Sequence, residues 1–190
     1  MRIGVIGSVN FNIAMTMNSD FDPNSVSSGT FEMSLGGPHV EFCEKLIAEG
    51  NEVFLITSLN FQDFASVKKS LRSRGIRTDY VTMEHNGLGM LFNLSWHIVE
   101  DETTISRLIG SSMSSVIELL SENGTSVFNN LDKVIVTSLD PEIIDLCQKY
   151  QVDLYLYAND IDESTLDDVD RKYLNRLTSL TDTNFKEVLK

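Results

Sequence analysis

The chain has 190 residues, 42% of them hydrophobic and 23% charged, with a formal net charge of −13. A chain of this length suggests one domain, or one domain with an appendage, and can bury roughly 70% of its unfolded surface, so it needs no disulfide or metal to fold. The acidic balance argues against a general nucleic-acid binder, which needs clustered Lys and Arg, and no apolar stretch approaches the roughly 18 to 20 residues of a membrane helix.

Met1-Arg2-Ile3-Gly4 enters an apolar run with no signal-peptide layout, which predicts a cytoplasmic protein. Ile3 to Gly7 reads as a strand buried on both faces, running into a turn at Asn10 to Asn12. Ile13 to Met17 is a second strand, residues 18 to 29 a polar loop, and Thr30 to Leu35 a returning strand. After Gly36-Gly37-Pro38 a helix runs to about Glu49, with Val40, Cys43 and Ile47 on one stripe and Gly50 beyond its end. Glu52 to Leu59 is another buried strand, and Phe61 to Arg74 an amphipathic helix with basic last turns and Gly75 after it. This β-α-β-α rhythm indicates a parallel sheet with helices packed on it.

From Met90 to Val99, apolar and mostly polar residues alternate, which predicts an antiparallel strand covered on one side. Glu100 to Thr103 reads as a turn, Thr104 to Ile109 as a returning strand and Met113 to Ser121 as a helix. Strand Lys133 to Thr137, helix Pro141 to Tyr150 and strand Val152 to Tyr157 resume the α/β rhythm. The stretch 151 to 170 carries acidic and no basic side chains and reads as a solvated face. Asp167 to Leu174 is a helix, Arg176 to Leu180 a strand, and Asn184 opens a last helix. Cys43 and Cys147 each fall within an expected helix and read as buried free thiols.

Gly4-x-x-Gly7 lacks the full dinucleotide fingerprint, because the residues after it alternate like a strand rather than opening a helix. His39, His85 and His97 lack the spacing of a zinc helix, and neither a Gly-x-Ser-x-Gly elbow nor a Cys-x-x-Cys occurs. Gly36-Gly37 before a helix allows a ligand to approach the backbone closely and offers free amides at the helix start. His39 in that first turn is either a solvated residue or a ligand group.

Gly7-Ser8-Val9-Asn10, Gly36-Gly37 and Asn184-x-x-Glu187, in that order and at those distances, resemble landmarks of the ribokinase (PfkB-type) sugar kinase family. The resemblance covers the opening two-thirds of that family and implies a three-layer α/β/α ribokinase-like fold over residues 1–190, truncated at the C-terminus. A small β-sheet lid, with strands at approximately 12–35 and 88–109, would be inserted in the α/β core. It implies sugar or nucleoside binding by Asn10, Gly36 and Gly37, unless Asn10 and Asn12 merely shape a turn. Asn184 and Glu187 would help to hold Mg²⁺, with ATP as phosphoryl donor.

The family's Gly-x-Gly-Asp, which supplies an anion hole and the base, occurs nowhere in residues 1 to 190. It would follow residue 190, so no catalytic residue is assigned and the isolated chain is expected to be inactive or weak. Departures from the pattern are Asn12 for an Asp, Glu41 for an Asn, and Asn60-Phe61-Gln62-Asp63 for a Gly- and Asp-rich turn. Two readings stand: a carbohydrate kinase homologue, or a non-catalytic small-molecule-binding or interaction protein derived from one. A homodimer is expected through the lid or through an exposed edge near the C-terminus.

Overall fold

The computed structural model describes residues 1–17, 29–60, 62–84, 91–98, 101–105, 113–159, 161, 164 and 166–189. The described strands form two sheets. Strands β1 (Arg2–Ile6), β4 (Glu52–Asn60), β5 (Arg77–Glu84), β8 (Lys133–Val136), β9 (Leu154–Tyr157) and β10 (Thr178–Leu180) form a six-stranded sheet in the order β10-β9-β8-β1-β4-β5. All its pairings are parallel. Strands β2 (Asn10–Met17), β3 (Gly29–Gly36), β6 (Leu91–Ile98) and β7 (Asp101–Ile105) form the other, in the order β3-β2-β6-β7.

Successive residues of the central strands face opposite sides, and both sides are apolar. Ile3, Val5, Leu55 and Ile135 pack under α1 (Pro38–Ala48), α2 (Phe64–Ser73) and α6 (Phe185–Val188), through Val40, Phe42, Leu46, Val67, Leu71 and Phe185. Ile6, Ile56, Val134, Val136 and Leu156 pack on the other side under α3 (Ser114–Phe128) and α4 (Pro141–Lys149). The flank of α5 (Asp168–Leu174) joins them through Tyr173 and Leu174. The result is the expected α/β/α layering, with each fully buried aliphatic side chain contributing roughly 1.5–3 kcal/mol.

Helix punctuation follows local chemistry. Asp140 and Asp167 accept hydrogen bonds from the first amides of α4 and α5, each such cap contributing about 1 kcal/mol. Gly50 and Gly75 follow α1 and α2 at φ 83° and 82°, the left-handed corner that glycine takes without penalty. Cys43 and Cys147 are both buried free thiols, and burial pushes each thiol up to about 12.

Several elements differ from expectation. Asn10 and Asn12 do not form a turn; they open β2, opposite Gly36 and Ser34. β6 is not purely antiparallel, because it runs parallel to β2 and antiparallel to β7. Asp101 to Thr103, expected in a turn, already pair with Ile98 to Trp96. β5 is an edge strand that the sequence reading passed over. α3 continues past Ser121 to Phe128, because Gly124 is no break there: the Tyr150 ring lies where its side chain would be. Residues 18–28 of the loop expected at 18 to 29, residues 106–109 of the returning strand and Phe61 lie outside the described residues, as do the side chains of the apolar face at Phe92, Leu94, Trp96 and Ile98; Gly29 already opens β3.

Candidate functional site at the carboxyl end of the first strand

β1 lies between β4 and β8, and the chain leaves it towards β4 first and returns to β8 later. Such a reversal of strand order opens a crevice outside the carboxyl ends of the strands, where α/β sheets bind ligands. At that end the backbone is tightly tied. The Gly7 amide donates to Ile56 O at 3.2 Å, and the Thr137 amide and hydroxyl both donate to Ile6 O, at 3.1 and 3.0 Å. A side chain on Gly7 would strike Thr137 Oγ1 and come within 3.2 Å of His39 Nδ1. Only glycine lets these two approach.

His39, on the first turn of α1, is half-buried rather than solvated. Its Nδ1 lies 3.1 Å from Ser8 O and 3.3 Å from Ser8 Oγ. A backbone carbonyl at that distance selects the tautomer that carries the proton on Nδ1, so the ring clamps the helix start onto the segment leaving β1.

Asn10 is the centre of the site. It is 5% exposed, and its Oδ1 is buried with no hydrogen-bond partner. Gly37 stands against it: a Cβ there would lie 2.7 Å from Asn10 Nδ2 and 2.9 Å from Asn10 Cγ. Gly37 has φ 96° and precedes α1, whose first turn receives no side-chain cap. Asn10 also pairs across the ladder with Gly36. Asn10, Gly36 and Gly37 therefore meet. A buried amide oxygen without a donor costs about 1–3 kcal/mol, and such an atom in a crevice beside uncapped helix amides marks a place for a hydroxyl or N–H. Glu41 occupies the exposed side of that first turn.

The neighbouring strand ends are satisfied from within. Asn60 Oδ1 accepts from the Gln62 amide at 3.1 Å, and Glu84 Oε2 accepts from the hydroxyls of Ser114 and Ser115 at 3.3 and 2.8 Å.

Asn184 and Glu187 lie elsewhere, beyond β10, which β8 and β9 separate from β1. Asn184 Oδ1 accepts from the Thr181 amide at 2.7 Å and its Nδ2 donates to Ser179 O at 3.3 Å, closing the corner between β10 and α6. Glu187 is exposed. Among the described residues no three His, Cys, Asp or Glu side chains gather as a metal cluster. The corner is joined to α1: Lys45 Nζ meets Asp182 at 2.5 Å, and Tyr157 Oη donates to the other carboxylate oxygen at 3.0 Å. The Lys45 ammonium beside it, more than the Tyr157 hydroxyl, holds the Asp182 carboxyl below the usual carboxylate range. Phe42 stacks on Tyr157 with ring centroids 4.0 Å apart. A depression of about 300 Å³ lined by Met1, Glu49, Asn51, Phe185, Lys186 and Leu189 lies at the opposite, amino end of the sheet, away from Asn10.

The sequence missed Thr137 and the tether of His39. The only signal for Thr137 was a hydroxyl ending an apolar strand; the partner that gives it meaning is Gly7, far earlier in the chain.

No protein-family model matches the sequence. The chain is 28% identical over 162 residues to a guanosine-inosine kinase of Exiguobacterium acetylicum, a match that covers 81% of this chain and 52% of that protein. Among solved structures, an archaeal nucleoside kinase of Methanocaldococcus jannaschii, described as a member of the ribokinase family, superposes with a TM-score of 0.69 at 13% identity, over 97% of this chain and 62% of that one. A Burkholderia thailandensis nucleoside kinase in complex with inosine gives 0.68 at 15% identity, over 98% and 61%. Arabidopsis thaliana ribokinase with ribose and ATP gives 0.65 at 14%, over 84% and 54%. The fold is ribokinase-like, and the chain spans about half the length of the curated relative it matches.

Proposed function

We propose that this chain, a relative of the ribokinase/PfkB-type kinases, holds a neutral, hydroxyl-rich small molecule, a nucleoside or free sugar, at the carboxyl end of β1. The observation that carries this reading is the buried Oδ1 of Asn10, unpaired against Gly37. A sugar hydroxyl would donate to that oxygen while the glycine corner lets the ligand ring lie on the backbone. The exposed carboxylate of Glu41 beside the same helix start disfavours a phosphorylated sugar. A nucleoside is preferred because the curated relative acts on guanosine and inosine and one matched structure binds inosine.

The reaction proposed for the complete site is ATP-dependent phosphorylation of a sugar hydroxyl. Asn184 and Glu187 would help to hold a Mg²⁺ through the amide and carboxylate oxygens that such an ion takes, the rest of its shell being water and phosphate; Asn184 Oδ1 keeps one lone pair beyond the Thr181 amide. When bound, the ion would neutralise phosphate charge. Residues 1–190 contain no Gly-x-Gly-Asp. A missing base costs roughly 10²- to 10⁴-fold, so turnover by these residues alone is expected to be silent or slow. A cytoplasmic location is part of the reading and suits the two unpaired thiols.

Thermal shift with inosine, guanosine and ribose tests the pocket. A nucleoside at about a hundred times its Kd should stabilise by about 2.7 kcal/mol, raising Tm by about 5–10 °C. No shift from any nucleoside or sugar would end the proposal.

A second reading, a homodimer formed through the smaller sheet, is favoured by β3. Glu32, Met33 and Ser34 are exposed in succession, Met33 at 57%, so both faces of this edge strand stand uncovered. Light scattering should then give twice the monomer mass for the wild type and a monomer for Met33→Asp.

A further inference from the structure

Arg74 sits where three elements meet. It ends α2 in a tightly fixed corner: its amide donates to Leu71 O at 3.1 Å, the Gly75 amide to Arg72 O at 3.0 Å, and the Ile76 amide to Leu71 O at 3.1 Å. Gly75, at φ 82°, lies against Ile47 of α1. From that fixed base the half-buried guanidinium reaches two partners. Its Nη2 donates to the Leu35 carbonyl of β3 at 2.6 Å, and its Nη1 lies 3.5 Å from Glu44 Oε1 of α1.

Leu35 is the buried residue immediately before Gly36 and Gly37, and it pairs with Phe11 as Gly36 pairs with Asn10. Among the described residues β3 is an edge strand, and one side of its backbone has no ladder partner there. A guanidinium on this carbonyl joins the smaller sheet to α2 and α1 at the residue preceding the glycine corner.

We infer that Arg74 is a positioning residue: it fixes the base of β3 and thereby sets the Gly36-Gly37 corner against Asn10. The part of this inference that concerns ligand affinity rests on the proposed pocket; the part that concerns the β3 base does not. A charged donor on a partly buried carbonyl contributes enough to shift a local equilibrium by about tenfold or more. Lysine keeps the charge but cannot fork to both partners.

Hydrogen exchange and nucleoside titration on the full chain test it. In Arg74→Ala, amides at Phe11 and at 35–37 should exchange at least about tenfold faster while those of β1 and β4 keep their rates, and inosine should bind about tenfold more weakly. Arg74→Lys should recover part of both effects. Glu44→Gln, which spares the Leu35 bond, should leave both within about twofold of wild type. The inference is overturned by unchanged exchange at 35–37 in Arg74→Ala, or by equal acceleration in β1 and β4, which would mean a general loss of stability. Faster exchange at 35–37 with undiminished inosine affinity would equally sink the positioning role. If the wild type binds no nucleoside, the pocket reading fails, while the exchange rates still decide whether Arg74 fixes the β3 base.

Discussion

Asn10 keeps an acceptor oxygen out of water with no hydrogen-bond donor to it, and a protein tolerates that cost where a ligand repays it. Asn10→Ala should therefore change the stability of the free protein by no more than about 1 kcal/mol, since the lost packing is offset by removal of the orphaned oxygen. The same change should abolish stabilisation by inosine in thermal shift; an unaltered shift would remove Asn10 from the site. Gly37→Ala combines a strained positive φ with a clash on Asn10. It should cost about 2 kcal/mol or more in denaturant unfolding, together with the ligand response. Asn10, Gly36 and Gly37, which the fold brings together, could be singled out because their residue types carry meaning in short stretches of sequence. Thr137 and His39 were not. Their roles arise from contact with Gly7 and Ser8 across the fold, and neither a threonine at a strand end nor a histidine in a helix start announces such a neighbour.

At the scale of elements, buried strands and helices were readable because their causes are local: continuous apolar runs, Pro38 in the first turn of α1, Gly50 and Gly75 after helix ends. β5 escaped because only part of it is buried, Thr78 and Val81 facing in while Arg77 and Asp79 face solvent as an ion pair. α3 was cut short because Asn123-Gly124 looks like a turn until Tyr150 is seen to need the space. Gly124→Leu should accordingly lower Tm by several degrees, at about 2–4 °C per kcal/mol, by driving a side chain into that ring. The junction of α1 with the β10–α6 corner has its own signature in acid. Asp182 has a lowered folded-state pKa, so its contribution is fully present above the ordinary carboxylate range near pH 4 and fades as pH falls through the folded value. The Tm advantage of wild type over Asp182→Asn should shrink below about pH 4. It should also shrink in high salt, because the Lys45 pair is largely exposed. An advantage that persists at pH 2 would show that the carboxylate charge is irrelevant there.

Across the whole molecule, the parallel core was readable from rhythm alone, whereas the arrangement of the smaller sheet was not. Alternation at 90–99 marks a strand with two different faces but says nothing about the direction of its neighbour, and β2 turned out to lie parallel to it. That one parallel contact has a kinetic corollary. β2 with β3, and β6 with β7, are each hairpin-like pairs close in sequence, but neither is half of a stable sheet without the other, and two-stranded ribbons are marginal in water. α1, β4, α2 and β5 must be laid down between them before the central seam can close. A seam joining such distant stretches pays its loop-closure entropy late. On synthesis or refolding, the smaller sheet should consequently condense after the layered body and be the first part to come apart.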